Sequence, residues 1–264
     1  MNVTSSLTVS IIVPVYNAQS TILDCITSIK QQTNSEFEAI IIDDASTDAT
    51  KSLILSSIEK DDRFSLISNS KNEGASHARN IGISLAQYEL IYFLDADDWL
   101  DLETIQKLLD CYRTHGVDLV CSGHTQHTGE ATIRQKDGCL AMDVMFCGKD
   151  LVNYVEKYLQ QPNRYIVPVH CWNKLYRRSI IVDNNIWFDR QLSQLEDVHF
   201  NFQYFKYCKA IFFHRAFGYY HRIHPEQPTM SASAGTEHNS VEKCVTAFEP
   251  IKLFLQDYNY NKFD

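Results

Sequence analysis

Short apolar runs alternate with helical patterns along the first half of the chain. The runs at residues 9–17, 37–42, 64–68, 90–94 and 117–121 are rich in Val, Ile and Phe, which is typical of buried strands. Between them, apolar side chains recur every three or four residues and predict helices; Ser20 is the expected N-cap of the first. Strands that are apolar on both faces and alternate with helices predict a mainly parallel sheet with helices on both faces.

The pattern is less regular after residue 123. Gly, Thr, Gln and charged residues dominate residues 124–145, which predicts an irregular excursion. Helices are predicted over 148–160, 198–207 and 241–258, with an extended segment at 210–213. Residues 224–238 contain two prolines among Gln, Ser and Gly, a composition typical of a mobile loop. We therefore expect one α/β domain with two halves, residues 1–123 and 124–264.

Composition excludes several classes of protein. The chain has 264 residues, 44% of them hydrophobic, and a net charge of -9, which argues against nucleic-acid binding because such proteins carry a basic surface. The amino terminus lacks the features of a signal peptide, and no apolar run reaches the roughly 18 residues of a membrane span. These features predict a cytoplasmic protein. The eight cysteines show no CxxC pair, so we expect reduced packing residues.

Three carboxylates follow the apolar run that ends at residue 94. They are Asp95, Asp97 and Asp98. Ligands collect at the carboxyl ends of parallel strands, and in an extended chain Asp95 and Asp97 would lie roughly 6–7 Å apart on one face. That separation suits one shared hard cation. The alternative is that Asp98 caps the helix beginning near Leu102 and that the other two are solvated turn residues.

Five motifs in order resemble those of the inverting family-2 glycosyltransferases, whose Rossmann-like α/β fold is called GT-A. They are the run 10–17, the acidic loop 43–48, Asn72-x-Gly74 with residues 78–82, Asp95-x-Asp97, and Glu196-Asp197. The resemblance covers most of the chain. It implies that residues 1–123 bind a nucleotide sugar and that residues 124–264 bind the acceptor and carry the catalytic base.

The resemblance implies a hexosyl- or N-acetylhexosaminyl-transferase. Its donor would be a nucleotide sugar, UDP-linked by expectation, and its acceptor a hydroxyl of a growing glycan or lipid-linked glycan, such as a cell-surface polysaccharide. The leaving nucleoside diphosphate needs a divalent cation, and carboxylates suit Mn²⁺ or Mg²⁺. By resemblance Asp97 coordinates this metal, Asp95 contacts it or the ribose, and His224 completes the ligand set, with His221 left open as an alternative.

Several residues are placed at the nucleotide by the same resemblance: Pro14, Tyr16, Asn17, Asp44, Arg79, Asp95, Ala96 and Arg222. Asp44 would accept the ring N–H of a uracil-type base, and Arg222 would reach phosphate. Tyr16 either stacks on the base or is a rim aromatic, and Arg79 lies either beside the nucleotide or in a surface ion pair. We interpret Asp43 as a turn residue and Asp48 as a helix cap. Gly74 and Gly82 are expected to serve a turn and close packing.

The remaining motifs concern catalysis and the acceptor. Inverting transfer needs one base, and the resemblance assigns it to Asp197, with Glu196 orienting the acceptor or Asp197. Alternatively, both simply favour the positive end of the following helix. Trp172, Asn173 and Lys174 resemble an acceptor-side segment, but could equally be a core Trp and a basic helix start. Lys174, with Arg177 and Arg178, could attach the protein peripherally to the inner face of the membrane.

Three other functions fit the sequence less well. A haloacid-dehalogenase-type phosphatase also uses Asp-x-Asp, but after its first strand, where this chain has Pro14 to Asn17. A sugar-phosphate nucleotidyltransferase shares the open sheet but needs a Gly-rich basic loop after the first strand. A catalytically inactive glycan-binding module would be expected to lack Asp95, Asp97 or Asp197, and all three are present.

Overall fold

The computed structural model describes residues 7–129, 132–134, 143–161, 169–192, 194–223 and 241–261. The elements in the amino-terminal half are β1 (Val9–Val15), α1 (Ile22–Lys30), β2 (Phe37–Asp43), α2 (Thr50–Ile58), β3 (Phe64–Ser68), α3 (Ala75–Leu85), β4 (Leu90–Phe93), β5 (Trp99–Leu100), α4 (Thr104–His115) and β6 (Leu119–His127). Those that follow are β7 (Thr132–Arg134), β8 (Val144–Cys147), α5 (Gly148–Gln160), β9 (Lys174–Arg177), α6 (Arg178–Asp183), α7 (Glu196–Tyr207), β10 (Ala210–Arg222) and α8 (Val241–Asn261).

All ten of these strands belong to one sheet. Its main path has the order β3-β2-β1-β4-β9-β6-β10-β5, with β7 on β6 and β8 on β10. The strands β3, β2, β1 and β4 run parallel to one another, as do β6 and β10, whereas β9 runs antiparallel to both of its neighbours. Because β1, β2 and β4 are parallel neighbours, the loops after their carboxyl ends emerge at one edge of the sheet.

The core consists of two apolar layers, one on each face of the sheet. Every residue of β1 is buried, and successive side chains point to opposite faces: Ile12 packs in one layer, Ile11 and Val13 in the other. Helix α3 lies very close to β1, since a Cβ built on Gly82 would be 2.3 Å from Ile12 Cγ2. The expected close-packing role of Gly82 is therefore confirmed. Gly74 has φ +89°, which confirms its role in a turn.

Several local predictions were wrong. Helix α1 has Thr21, not Ser20, at its N-cap, and no side chain caps it. Helix α4 begins at Thr104, so Asp98 does not cap it. The irregular excursion predicted from residue 124 begins later, because β6 continues to His127 on its pairing with β10. The division predicted between residues 123 and 124 falls within β6, and the assignment of one half to the donor and the other to the acceptor stays a prediction. Strands β5 and β9 were not predicted.

Two expectations from composition can be compared with the structure. Free cysteines within the described ranges include the buried Cys25, Cys121, Cys171 and Cys208, while Cys111 is half-buried and Cys147 exposed. No helix in the ranges given above is both long and apolar enough to cross a bilayer. The segment 224–238, predicted to be a mobile loop, lies outside the described residues.

Candidate active site

A cleft of about 490 Å³ opens at the carboxyl ends of β1, β2 and β4. Seven of the eight residues predicted to lie at the nucleotide line it, together with Asp97: Pro14, Tyr16, Asn17, Asp44, Arg79, Asp95 and Ala96. Tyr16 is 48% exposed and stands at the rim, where its ring remains accessible to a ligand. The topology explains this convergence, because parallel neighbouring strands deliver their following loops to the same edge of the sheet.

The loops after β1 and β2 are tied together by side chains. Asn17 has φ +48°, and its Oδ1 accepts a hydrogen bond from the Thr47 backbone amide (2.8 Å). The backbone amide of Asn17 donates to Ser46 Oγ (2.9 Å). Asp43 Oδ1 accepts from the Ser46 amide (3.1 Å), as a turn residue would, but Asp43 is buried rather than solvated. Asp48 Oδ1 accepts from the amide of Thr50, the first residue of α2 (3.0 Å). These bonds preorganise one wall of the cleft.

Asp44 is 3% exposed, and its carboxylate is held by hydrogen bonds from other residues of the chain. Its carboxylate accepts hydrogen bonds from the Gly74 amide (2.6 Å), the Glu73 amide (3.0 Å) and Asn69 Nδ2 (2.7 Å). A carboxylate has about four acceptor positions, so these three donors use most of them. Asp44 thus fixes the turn that precedes α3, and its expected contact with a base stays a prediction.

Arg79 lies between carboxylates from two distant parts of the chain. Its Nη2 is 3.0 Å from Asp95 Oδ1, and its Nη1 is 3.4 Å from Asp197 Oδ1 and 3.7 Å from Glu196 Oε1. Only 5% of Arg79 is exposed, so it is not the surface arginine that was considered as an alternative. One guanidinium therefore joins the end of β4 to the first turn of α7, and it is outnumbered by the carboxylates around it.

The acidic groups of the cleft repel one another. Burial raises the pKa of Asp97 to about 7, and the nearby charges of Asp98 and Asp95 add to this shift. Burial likewise raises the pKa of Asp95, although Arg79 opposes the rise. The pKa of Glu196 is raised by burial and then by Asp197. The cleft consequently favours the entry of positive charge.

Asp197 is fixed by several groups besides Arg79. Its Oδ2 accepts from the Cys171 amide (2.9 Å), so both carboxylate oxygens have a partner. Its carbonyl oxygen accepts from Asn201 Nδ2 (2.8 Å), and Asn201 Oδ1 accepts from the Tyr176 hydroxyl (2.7 Å). Because Tyr176 belongs to β9, the antiparallel strand in the middle of the sheet anchors the start of α7. The Cys171 amide was not identified from sequence, since backbone donors leave no signal in residue type.

The three aspartates after β4 are not in extended conformation. The Asp98 amide donates to the Asp95 carbonyl (3.1 Å), so the chain turns and the assumption of an extended geometry was wrong. Asp98 is 1% exposed; its carboxylate accepts from the Tyr219 hydroxyl (2.5 Å) and the Arg222 amide (2.8 Å). His221 Nδ1 lies 3.3 Å from the same carboxylate. Asp98 thus joins this turn to the end of β10.

Arg222 is near the cleft, but its guanidinium is engaged elsewhere. Its Nε donates to the Asp97 carbonyl (3.0 Å), its Nη2 donates to Asp24 Oδ2 (2.7 Å), and its Cζ lies 4.7 Å from the centre of the Trp99 ring. The contact with phosphate stays a prediction. His224 lies outside the described residues. Among the residues that are described, no group of three His, Cys, Asp or Glu side chains is arranged to hold a metal.

The segment Trp172 to Lys174 is buried. Trp172 is 6% exposed and parallel to the rings of His170 and Tyr219, with centroids 4.7 and 4.6 Å away, so little of its surface is open to a sugar. Asn173 clamps the backbone of β6, donating to the carbonyl oxygens of Ser122 (2.7 Å) and Gly123 (2.9 Å).

Lys174 is 2% exposed, and its ammonium group donates to the carbonyl oxygens of His170 and Trp172. It therefore adds no charge to an exposed basic patch with Arg177 and Arg178. Arg177 itself forms an ion pair with Asp118 (3.0 Å) and donates through Nε to the Tyr112 hydroxyl (2.8 Å). The expected peripheral attachment to the membrane has no support from this segment.

The chain is similar to known proteins over most of its length. The sequence profile described as Glycosyl transferase family 2 matches residues 10–184. The chain belongs to this family. EpsH of Bacillus subtilis (strain 168) is 30% identical over 255 residues, which are 95% of this chain and 70% of EpsH. The family, and with it a glycosyltransferase as the class of enzyme, is thereby confirmed.

Solved structures confirm the fold class. The crystal structure of S. aureus TarS 1-349 in complex with UDP-GlcNAc has a TM-score of 0.75 at 20% identity, covering 98% of this chain and 68% of that chain. The structure of the same fragment with UDP has a TM-score of 0.73, with 94% and 65% covered. By sequence, TarS of Staphylococcus aureus (strain Mu50) is 24% identical over 226 residues, and the chain spans 37% of its length. The α/β GT-A fold with a mainly parallel sheet is confirmed.

Proposed function

We propose that this family-2 protein is a metal-dependent inverting glycosyltransferase, which moves a sugar from a UDP-linked donor to a hydroxyl of a growing cell-surface glycan. The contact of Arg79 with both Asp95 and Asp197 carries the proposal. It brings Asp95, which lines the cleft, and Asp197 to the same guanidinium; in this proposal Asp95 lies at the donor and Asp197 accepts a proton. Inverting transfer requires these two functions on one cleft.

Asp197 is the proposed base. In a single displacement, the acceptor hydroxyl loses its proton as its oxygen attacks the anomeric carbon, and Asp197 takes that proton. Arg79 and the Cys171 amide each hold one of its oxygens, so the carboxylate is oriented before substrate binds. Glu196, 3.7 Å from Arg79 Nη1, shares this guanidinium and adds to the positioning of the pair.

Asp95 and Asp97 offer carboxylate oxygens, which are the ligands that a divalent cation such as Mn²⁺ or Mg²⁺ takes. The pKa of Asp97 is raised to about 7 by burial and by neighbouring carboxylates. In this proposal Asp97 is a hard oxygen ligand, and a bound cation would relieve the repulsion between these carboxylates. Asp95 is the second oxygen ligand in this proposal, and His224 is the expected third. When bound, Mn²⁺ or Mg²⁺ would neutralise the charge that develops on the leaving nucleoside diphosphate.

The donor and the acceptor are proposed from the relatives. Structures titled as TarS complexes with UDP and with UDP-GlcNAc share this fold. Two of the matching proteins are named poly(ribitol-phosphate) beta-glucosyltransferase, from Bacillus spizizenii, and poly(ribitol-phosphate) beta-N-acetylglucosaminyltransferase. A UDP-hexose or UDP-N-acetylhexosamine donor and a cell-surface glycopolymer, free or lipid-linked, follow as the proposed substrates. We further propose that the protein acts in the cytoplasm, at the inner face of the membrane.

A panel of nucleotide sugars tests the proposal. The chain is incubated with each donor and Mn²⁺, with and without chelator, and release of nucleoside diphosphate is measured. Metal-dependent release of UDP from one donor is the expected result. Release of pyrophosphate from a sugar phosphate and UTP would instead identify a nucleotidyltransferase. Glycan binding without turnover of any donor would identify an inactive binding module.

A further inference from the structure

Asn80 joins α3 to the segment that precedes the catalytic helix. Its Nδ2 donates to the Phe188 carbonyl (2.9 Å), and its Oδ1 accepts from the Phe188 amide (2.9 Å). A side-chain amide paired with both groups of one residue fixes that residue in position and in orientation. Asn80 is the neighbour of Arg79 on α3, and Phe188 precedes α7 by only a few residues. We call this pair the Asn80–Phe188 clamp.

The ring of Phe188 supports the guanidinium. Arg79 Cζ lies 5.3 Å from its centre, within the range of a cation–π contact. The same ring is stacked on Phe200 of α7, with centroids 4.0 Å apart, and meets Phe93 of β4 edge-on at 5.4 Å. Phe188 is 2% exposed. It therefore touches Arg79 and both of the elements whose carboxylates Arg79 joins.

Arg79 has little other support. Its two terminal nitrogens contact the carboxylates of Asp95, Glu196 and Asp197, and its Nε has no hydrogen-bond partner within the part of the chain that the structure describes. The ring of Phe188 thus adds a contact with an uncharged group to a guanidinium that is also held by three carboxylates. A second tie runs parallel to the clamp, since Arg190 Nη2 lies 2.7 Å from Glu73 Oε1, just before α3.

We propose that Asn80 and Phe188 are positioning residues for the transfer reaction: the clamp holds Arg79, and through Arg79 the carboxylate of Asp197. This inference rests on the proposed function of Asp197 as the base. It predicts a larger effect on turnover than on nucleotide binding, because Arg79 and Asp95 line the cleft but the cleft residues that follow β1 and β2 are outside the clamp. Neither residue touches substrate in this proposal.

The variants Asn80→Ala and Phe188→Leu test the clamp, with Asn34→Ala as the matched control. The Asn34 side chain likewise donates one hydrogen bond, to Gln106 Oε1 (3.1 Å), and accepts one, from the Glu36 amide (2.9 Å). It lies just before β2, at the end of the strands opposite to the cleft. We expect kcat to fall about 10- to 100-fold in both clamp variants, as misplaced catalytic groups do, with a much smaller loss of UDP affinity. Asn34→Ala should keep its kcat. A fall in kcat no larger than in the control, or an equal loss of UDP affinity, would overturn the proposal.

Nuclear magnetic resonance of the Arg79 side chain separates this inference from the proposed function. The Nε–H signal of Arg79, assigned with Arg79→Lys, reports how far the guanidinium is restricted. We expect restricted motion in the native chain and in Asn34→Ala, and faster motion in Asn80→Ala and Phe188→Leu. Unchanged Arg79 dynamics in both clamp variants would overturn the inference even if the enzyme is active. Absence of transfer with every donor would refute the proposed function alone.

Discussion

Asp197 carries the mechanism, and one substitution separates its chemical role from its structural one. Asp197→Asn keeps the shape of the side chain and an acceptor for the Cys171 amide, but cannot take up a proton. We expect transfer to fall by about 10²- to 10⁴-fold, the usual contribution of a positioned base, while UDP affinity survives. Turnover, UDP affinity by calorimetry and thermal stability should all be measured on one preparation of the variant.

Glu196→Gln is the matched control for this substitution. It changes the adjacent carboxylate, which also faces Arg79, and should reduce turnover less than Asp197→Asn does. If Asp197 only favoured the positive end of α7, its Asn variant would keep nearly full activity and lose at most about 1 kcal/mol of stability. Full turnover in Asp197→Asn would move the assignment of the base to Glu196.

The raised pKa of Asp97 predicts a pH dependence of metal-assisted binding. A carboxyl group with a pKa of about 7 is largely neutral below that pH and ionised above it. Cations bind the ionised form, so Mn²⁺-dependent UDP affinity should decrease on going from about pH 8 to about pH 6. Calorimetry at both values measures this. Asp97→Asn should remove the metal dependence, whereas Asp43→Asn, a change in a turn residue, should retain it. Equal pH dependence in all three proteins would contradict the role of Asp97.

The residue types that the chemistry requires were visible in the sequence, whereas many of their partners were not. Asp95, Arg79 and Asp197 were identified by motif, and the structure brings them together. Trp172 and Lys174 have residue types suited to sugar and phosphate, yet both are buried among groups of the chain itself. Exposure depends on packing between distant segments, which a local motif does not report. For the same reason, no local motif indicated that Asn80 would pair with Phe188.

At the scale of elements, the close contact between α3 and β1 sets where Arg79 lies. Gly82→Ala would place a methyl group 2.3 Å from Ile12 Cγ2, so α3 or β1 must shift. We expect a loss of about 1–3 kcal/mol in the free energy of unfolding, as in other overpacked cores. Chemical denaturation measures this loss. Ser84→Ala, on the exposed side of the same helix, should stay within about 0.5 kcal/mol. An unchanged stability of Gly82→Ala would show that the contact is easily relaxed.

Strands β1, β2 and β4 were predicted because continuous apolar runs identify strands that are buried on both faces. Strand β9 was missed for a physical reason. It has the sequence Lys-Leu-Tyr-Arg, in which both end residues are charged. The ammonium group of the lysine is buried and donates hydrogen bonds to carbonyl oxygens of the preceding segment instead of to water. Polar ends therefore conceal a strand that is central in the sheet. Strand β5 has only two residues, too few for any periodicity.

At the scale of the whole molecule, β9 joins the two halves of the chain. Leu175 and Tyr176 pair with β4 on one side and with β6 on the other. We therefore expect one cooperative unfolding transition, since β9 belongs to the second half and the residues with which it pairs belong to the first. Near-ultraviolet and far-ultraviolet circular dichroism should give coincident denaturation curves. Two separated transitions would contradict this expectation and would show that the halves are independent units.

The position of β9 also matters while the protein is being made. Strand β4 leaves the ribosome long before β9, so its edge has no partner until residues 174–177 have been synthesised. An unpaired edge of an apolar strand readily pairs with other chains. The nascent amino-terminal half therefore passes through a period in which self-association competes with completion of the sheet. Slow translation between residues 94 and 174 would prolong that period, and a chaperone that covers strand edges would reduce self-association during it.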